Sequence, residues 1–206
     1  MSFFFVQLSA YFPHRDFTAV RNAQMAALQL NNTGYAVAID LGDAHSPAQP
    51  IHPRRKQEVS RRLALAVQKV QYGAKDIVST GPEFDTLVTG AAMASYTAVV
   101  SFKSGTASGL HQAGTADCTQ VGSRLCCNES PFQILVNTSW VRTNYSIQAE
   151  QVKLQIPANA AIPIAVRYAW EAWPQCSLYN GQGGPDDHLG IAATPWCWDG
   201  KGMCPY

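Results

Sequence analysis

Two short apolar runs, FFFVQL (Phe3–Leu8) and YAVAID (Tyr35–Asp40), enclose a single helical segment near the start of the chain. Nearly continuous runs of β-formers, rather than alternating ones, suit strands buried on both faces. Between them Asp16 is placed to cap a helix in which Val20, Ala23, Ala27 and Leu30 recur at helical spacing, and Asn31–Gly34 supplies turn residues to end it. Strand, helix and strand in so short a span form a βαβ unit, so the strands run parallel beneath a right-handed crossover. Pro53 then suits the first position of a second helix. Val59, Leu63, Ala66, Val67 and Val70 line one side of it, Glu58 and Arg62 form a favourable i,i+4 pair, and Gly73 ends it.

After Gly73 the texture changes. Val78–Ser79, Thr86–Val88, Tyr96–Phe102, Gln133–Asn137, Ser146–Ile147, Val152–Ile156 and Ile164–Trp170 are short β-type runs separated by Gly, Pro, Ser and Asn. They predict an antiparallel β-sandwich. The expected organisation is an α/β segment over residues 1–73 and a sandwich-like, disulfide-bearing domain over 74–206, with no internal repeat.

Only 14% of the 206 residues are charged, against about 25% in a typical soluble domain, and the formal net charge is +1. A lightly charged, neutral chain gives no reason to expect nucleic acid or an anionic membrane surface as partner. No apolar run approaches the roughly 18 residues of a membrane span.

The 6 cysteines, Cys118, Cys126, Cys127, Cys176, Cys197 and Cys204, all lie in the last ninety or so residues. None forms a C-x-x-C pair, which weakens a zinc reading; an even count at irregular spacing suits disulfides. Cys126 and Cys127 are adjacent and expected to bond to different partners, and Cys197 and Cys204 could close a terminal loop. Four N-x-[ST] acceptors occur, at Asn31, Asn128, Asn137 and Asn144, where about one is expected by chance. Cysteines and acceptors together predict an oxidising, secretory compartment, extracellular or lysosomal. The first residues lack the basic start and longer apolar stretch of a signal peptide, from which the front of the protein is expected to be missing.

The loop Leu41–Ile51 leaves the carboxyl end of the second strand, where open α/β sheets bind ligands, and His52 stands where the loop meets the next helix. A histidine there can exchange protons with something above the sheet, or be a surface residue at a helix start. The stretch GYAVAIDLGDAHSPAQPIHPRRKQEVSRRLALAVQKVQYG (Gly34–Gly73) resembles the sialate O-acetylesterases, a branch of the SGNH (GDSL-like) hydrolases. FFFVQLSAY with Arg21 and Gln24, and AVRYAWEAWPQCSLYN (Ala165–Asn180), extend the similarity, which is loose over 74–160. The resemblance implies the C-terminal portion of an SGNH-type parallel-sheet hydrolase with His52 as catalytic base, acting on an O-acetylated sialic acid or another acetylated sugar without metal or organic cofactor. The aspartate that SGNH hydrolases at large carry three residues before the histidine is replaced here by Gln49. A backbone carbonyl of Gln49 or Pro50, or the carboxylates of Asp43 or Asp40, remain as candidates to orient the ring, the aspartates also suiting caps and turns. Arg54, Arg55 and Lys56 crowd the first helical turn; they read as a solvated basic patch or, for Arg54 and Arg55, as attraction for a sugar carboxylate.

A serine nucleophile is not recognisable. No G-D-S or G-x-S-x-G motif occurs, Ser104 and Ser108 lie in Gly-rich turns, and Ser9 matches a family position other than the nucleophile. The base is therefore expected without its nucleophile, inactive alone, and needing its own N-terminal half as a covalent or associated partner. Phe3–Val6 would then present an apolar edge. Tyr168, Trp170, Trp173, Trp196 and Trp198 suit either sugar stacking or a sandwich core. From a different class, the chain also reads as a catalytically dead secreted module that binds glycans or protein partners.

Overall fold

The computed structural model describes residues 1–11, 15–92, 95–114, 129–157, 164–182 and 190–204. Strands β1 (Phe3–Val6) and β2 (Thr33–Ala36) pair in parallel, from Phe3 opposite Thr33 to Val6 opposite Ala36. Helix α1 (Thr18–Gln24) joins them and continues as a 3-10 segment, Met25–Gln29. The Asp16 carboxylate accepts the Thr18 N–H at 2.8 Å, so the expected cap forms. The expected buried stripe does not: Val20 and Leu30 are exposed, and α1 buries Thr18 and Arg21 instead.

The reason lies at the end of β1, whose backbone needs partners. The Gln24 amide donates to Val6 O and accepts from Leu8 N–H, both at 3.0 Å. Arg21 donates to Glu171 O at 2.5 Å and to Ser9 O at 3.4 Å. Burial draws the Arg21 pKa down to about 10 despite Asp16 and Glu171 nearby, which leaves it cationic at neutral pH. Unpaired buried backbone groups are costly, and meeting that need outweighs burying Val20.

Helix α2 (Lys56–Val70) starts three residues after Pro53 and packs on β1 and β2. Gly34 permits the approach, since a Cβ there would lie 3.0 Å from the Phe4 ring and 3.3 Å from Ala66 Cβ. The most buried stripe of α2 is Glu58, Arg62 and Ala66, while Val59, Leu63, Val67 and Val70 are half-buried beside it. The fully buried Arg62 donates to Asp40 Oδ1 and Oδ2 at 2.7 and 2.9 Å, to Glu58 Oε1 at 2.6 Å and to Val37 O at 3.1 Å. Burial alone would lower the Arg62 pKa, but Asp40 and Glu58 outweigh it and hold the group firmly charged.

Beyond α2 lie β3 (Phe84–Ala92), β4 (Ser95–Phe102), β5 (His111–Gly114), β6 (Phe132–Val136), β7 (Ser139–Arg142), β8 (Tyr145–Gln148), β9 (Gln151–Ile156), β10 (Val166–Tyr168), β11 (Cys176–Tyr179) and β12 (Trp196–Trp198). They form antiparallel sheets ordered β3-β4-β9-β8, β12-β10-β6-β7 and β11-β5. Alternation along β6 and β9 sends Phe132, Ile134, Val152 and Leu154 into one core, shared with Val100, Tyr168 and Trp196. Val78–Ser79 forms no strand; it lies in the connection from α2 to β3, just ahead of Gly81–Pro82. Tyr35–Asp40 is strand only to Ala36, and Ile39–Leu41 is a 3-10 turn.

A second core joins Ala10, Tyr35, Val37 and Ile39 to Tyr179, Ile191 and Ala192, so the late chain covers β2. Asn180 secures the contact: its amide donates to Thr80 O at 2.9 Å and Thr106 O at 3.0 Å, and its oxygen accepts Ile191 N–H at 3.1 Å.

Removing Arg62 strands two buried carboxylates. Arg62→Ala is expected to cost about 3–5 kcal/mol in urea denaturation. Burial raises the Glu58 pKa, but hydrogen bonds and charge from Arg61 and Arg62 exceed that effect and hold it below the ordinary value. Its stabilising contribution is thus present above the ordinary glutamate pKa of about 4.3 and lost as pH falls through the lower folded value. Urea midpoints should fall on acidification in that window, and Glu58→Gln should flatten the fall.

Candidate active site

From β2 the chain passes through the turn Ile39–Leu41 into a loop that enters α2. Gly42 begins it against Ala10 and Trp173, where a Cβ would come within 2.9 Å of Ala10 Cβ. Asp43 then closes the loop on itself. Its N–H donates to Pro50 O at 3.0 Å, and its carboxylate accepts the N–H groups of His45 and Arg54, both at 3.1 Å. Arg54 adds Nε and Nη2 at 2.5 and 2.9 Å, a bidentate pair in which the carboxylate is buried and the guanidinium half-exposed.

His52 sits inside this loop. Its N–H donates to Gln49 O at 2.9 Å, and its carbonyl accepts from Ser46 Oγ at 2.6 Å. Just before it, Ile51 O accepts from the buried Ser9 Oγ at 2.9 Å. Gln49 takes a left-handed φ of 77°, and its side-chain oxygen accepts the Tyr11 hydroxyl at 2.5 Å. The backbone is therefore fixed on both sides of the imidazole. The ring itself is exposed, and no described residue hydrogen-bonds it.

The candidate orienting groups are placed as follows. Asp43 pairs with Arg54, Asp40 with the buried Arg62, and the Gln49 carbonyl accepts the backbone N–H of His52. None of them is hydrogen-bonded to the ring among the described residues. Arg55 is exposed at the start of α2. Of the serines, Ser9 and Ser46 are bonded to the loop backbone, while Ser104 and Ser108 are exposed in turns between β4 and β5. The roles of Ser46, Ser9 and Tyr11 were not read from the sequence. The Ser46–Pro47 dipeptide marks a turn, but nothing in it shows that the hydroxyl returns to His52.

Cys197 and Cys204 form a disulfide, and Cys176 is disulfide-bonded. Cys118, Cys126, Cys127 and Asn128 lie outside the described residues. Asn31, Asn137 and Asn144 are exposed. Tyr168 and Trp196 are buried in the main core and Trp173 packs on the second, while Trp170 and Trp198 are half-buried. Among the described residues no group of three or more His, Cys, Asp or Glu could hold a metal ion, and no helix is long and apolar enough to cross a membrane.

Chemically, the loop offers an exposed imidazole that no described residue hydrogen-bonds, held on a backbone with little freedom. It can take a proton from a hydroxyl brought to it, and no serine of the loop is free to supply that hydroxyl.

No family model matches the chain. Mouse sialate O-acetylesterase is 32% identical over 204 residues, spanning 86% of this chain and 33% of that protein. The human sialate O-acetylesterase is 30% identical over 172 residues, 80% of this chain and 29% of that protein. The crystal structure of a carbohydrate acetylesterase from Xanthomonas citri superposes with a TM-score of 0.70 at 28% identity, over 96% of this chain and 41% of its own. The chain spans about a third of the length of these curated relatives, and across most of its own length it is a relative of the sialate O-acetylesterases.

Proposed function

We propose that the chain is the base-carrying part of a serine-type carbohydrate esterase that removes O-acetyl groups from sialic acids or related sugars. What carries the proposal is His52: an exposed imidazole on a doubly fixed backbone, beyond the carboxyl end of a parallel strand. In this reading residues 1–73 are the C-terminal segment of an SGNH hydrolase domain and 74–206 a β-sandwich-like domain. The nucleophilic serine and oxyanion donors lie outside these 206 residues. His52 accepts the serine proton as the oxygen attacks the acetyl carbonyl, and gives it to the departing sugar oxygen, leaving the acetyl group on the serine. It then deprotonates the water that attacks this ester and returns that proton to the serine oxygen as acetate leaves. Arg55, and Arg54 beside its pairing with Asp43, give the rim a positive field suited to a sialate carboxylate. Bonded cysteines and exposed Asn-x-Ser/Thr acceptors favour a secretory location, extracellular or lysosomal.

The 206-residue chain alone is expected to show no turnover of an O-acetylated sialic acid. Combined with the complementary two-thirds of a relative, it should release acetate, and His52→Ala should lower kcat by roughly 10²–10⁴-fold. In that pair, Arg55→Gln should raise KM for a sialylated ester while sparing kcat. If the complemented pair folds and binds acetylated sugar yet never hydrolyses it, the chain is a binding module instead.

A further inference from the structure

A cleft of about 430 Å³ opens on the side of the β1–β2 sheet away from α2, between the 3-10 segment after α1, the start of β3 and the chain after Thr194. It is separate from the His52 loop, no residue of which lines it. Its wall is aromatic: Phe84 lies 4.3 Å from the Trp196 ring and 5.5 Å from that of Trp198, and Tyr35 also lines it. Trp196 is nearly fully buried, and its indole N–H has no partner among the described residues. Trp198 is only half-buried.

This wall is held rigidly. Strand β12 pairs with β10 through Trp196 and Trp198, and the disulfide to Cys204 closes the turn behind it. Asp199 accepts the N–H groups of Lys201 and Gly202 at 2.8 and 2.9 Å, and Met203 bridges back to Trp198. Tyr35 is fixed by the bond between its hydroxyl and Thr194 at 2.8 Å. Holding ring faces in place before binding removes an ordering cost that a ligand would otherwise meet.

The rim is polar, and its charge selects. Asp85 and Gln29 present an exposed carboxylate and amide, and the one lysine of the described lining, Lys103, is paired with Glu83 at 2.9 Å. Among the described residues the cleft thus offers aromatic faces and hydroxyl partners but no unmatched cation, which disfavours a carboxylated or phosphorylated ligand. We infer that this cleft is a second, non-catalytic site that binds a neutral pyranose, stacked on Trp198 and Phe84 and hydrogen-bonded by Asp85. The ligand class rests on the carbohydrate-ester reading; the site does not use His52.

Titration of the full chain with cellohexaose, xylohexaose, N-acetylchitohexaose and 3′-sialyllactose, followed by saturation-transfer NMR and tryptophan fluorescence, tests it. Saturable binding of at least one neutral oligosaccharide is expected, weakened tenfold or more by Trp198→Ala and by Asp85→Asn, and unchanged by His52→Ala. Asp85→Asn leaves the core untouched and stands if Trp198→Ala misfolds. The inference is overturned if no neutral sugar binds, if sialyllactose binds best, or if Asp85→Asn has no effect. Because the readout is binding, loss of the hydrolase reading through an inactive complemented pair would leave this result separate.

Discussion

The buried guanidinium of Arg62 holds together the parts that define the candidate site. It reaches Asp40 after β2, Glu58 one turn earlier on α2, the carbonyl of Val37 and, at 3.4 Å, that of Gly190 in the late chain. A charge taken so far out of water is tolerable only when nearly all its donors are met. Meeting them fixes the distance between the end of the strand and the start of the helix. The loop bearing His52 spans that distance, so its two anchor points are set by one ion cluster rather than by loop packing.

Within those anchors a second, smaller set of bonds shapes the loop. Asp43 and Arg54 join its ends, and Ser46, Ser9 and Tyr11 hold the turn that contains His52. Candidate aspartates thus serve as framework, while the histidine side chain is left to solvent. Such a division suits a group that must meet something not present in the loop itself.

The sequence reveals the elements better than their faces. The apolar runs announced β1, β2, β4, β6 and β9, because a strand with one buried face repeats every second residue and a buried strand reads as a continuous apolar run, although β1 itself is exposed to half-buried. The spacing placed α1 but misassigned its buried face, since Gln24 and Arg21 turn inward for backbone partners that no periodicity can display. Strands β5, β7, β11 and β12, three or four residues each, go unmarked because no apolar run extends past them as FFFVQL and YAVAID extend past β1 and β2. The Glu58–Arg62 pair was legible from spacing, but its third member, Asp40, belongs to another element and became a neighbour only through the fold. His52 was singled out by its place after a strand; the hydroxyls that secure its backbone come from residues 6 and 42 positions away in the chain.

The Gln24 amide bears on how the parallel pair could grow. It occupies the outward backbone groups of Val6 and Leu8, as a neighbouring chain segment would. Along that edge of β1, among the described residues, the stretch about Phe4 is left to accept an added ladder. A third strand on that side must therefore finish level with Val6, or first dislodge a glutamine that imitates it.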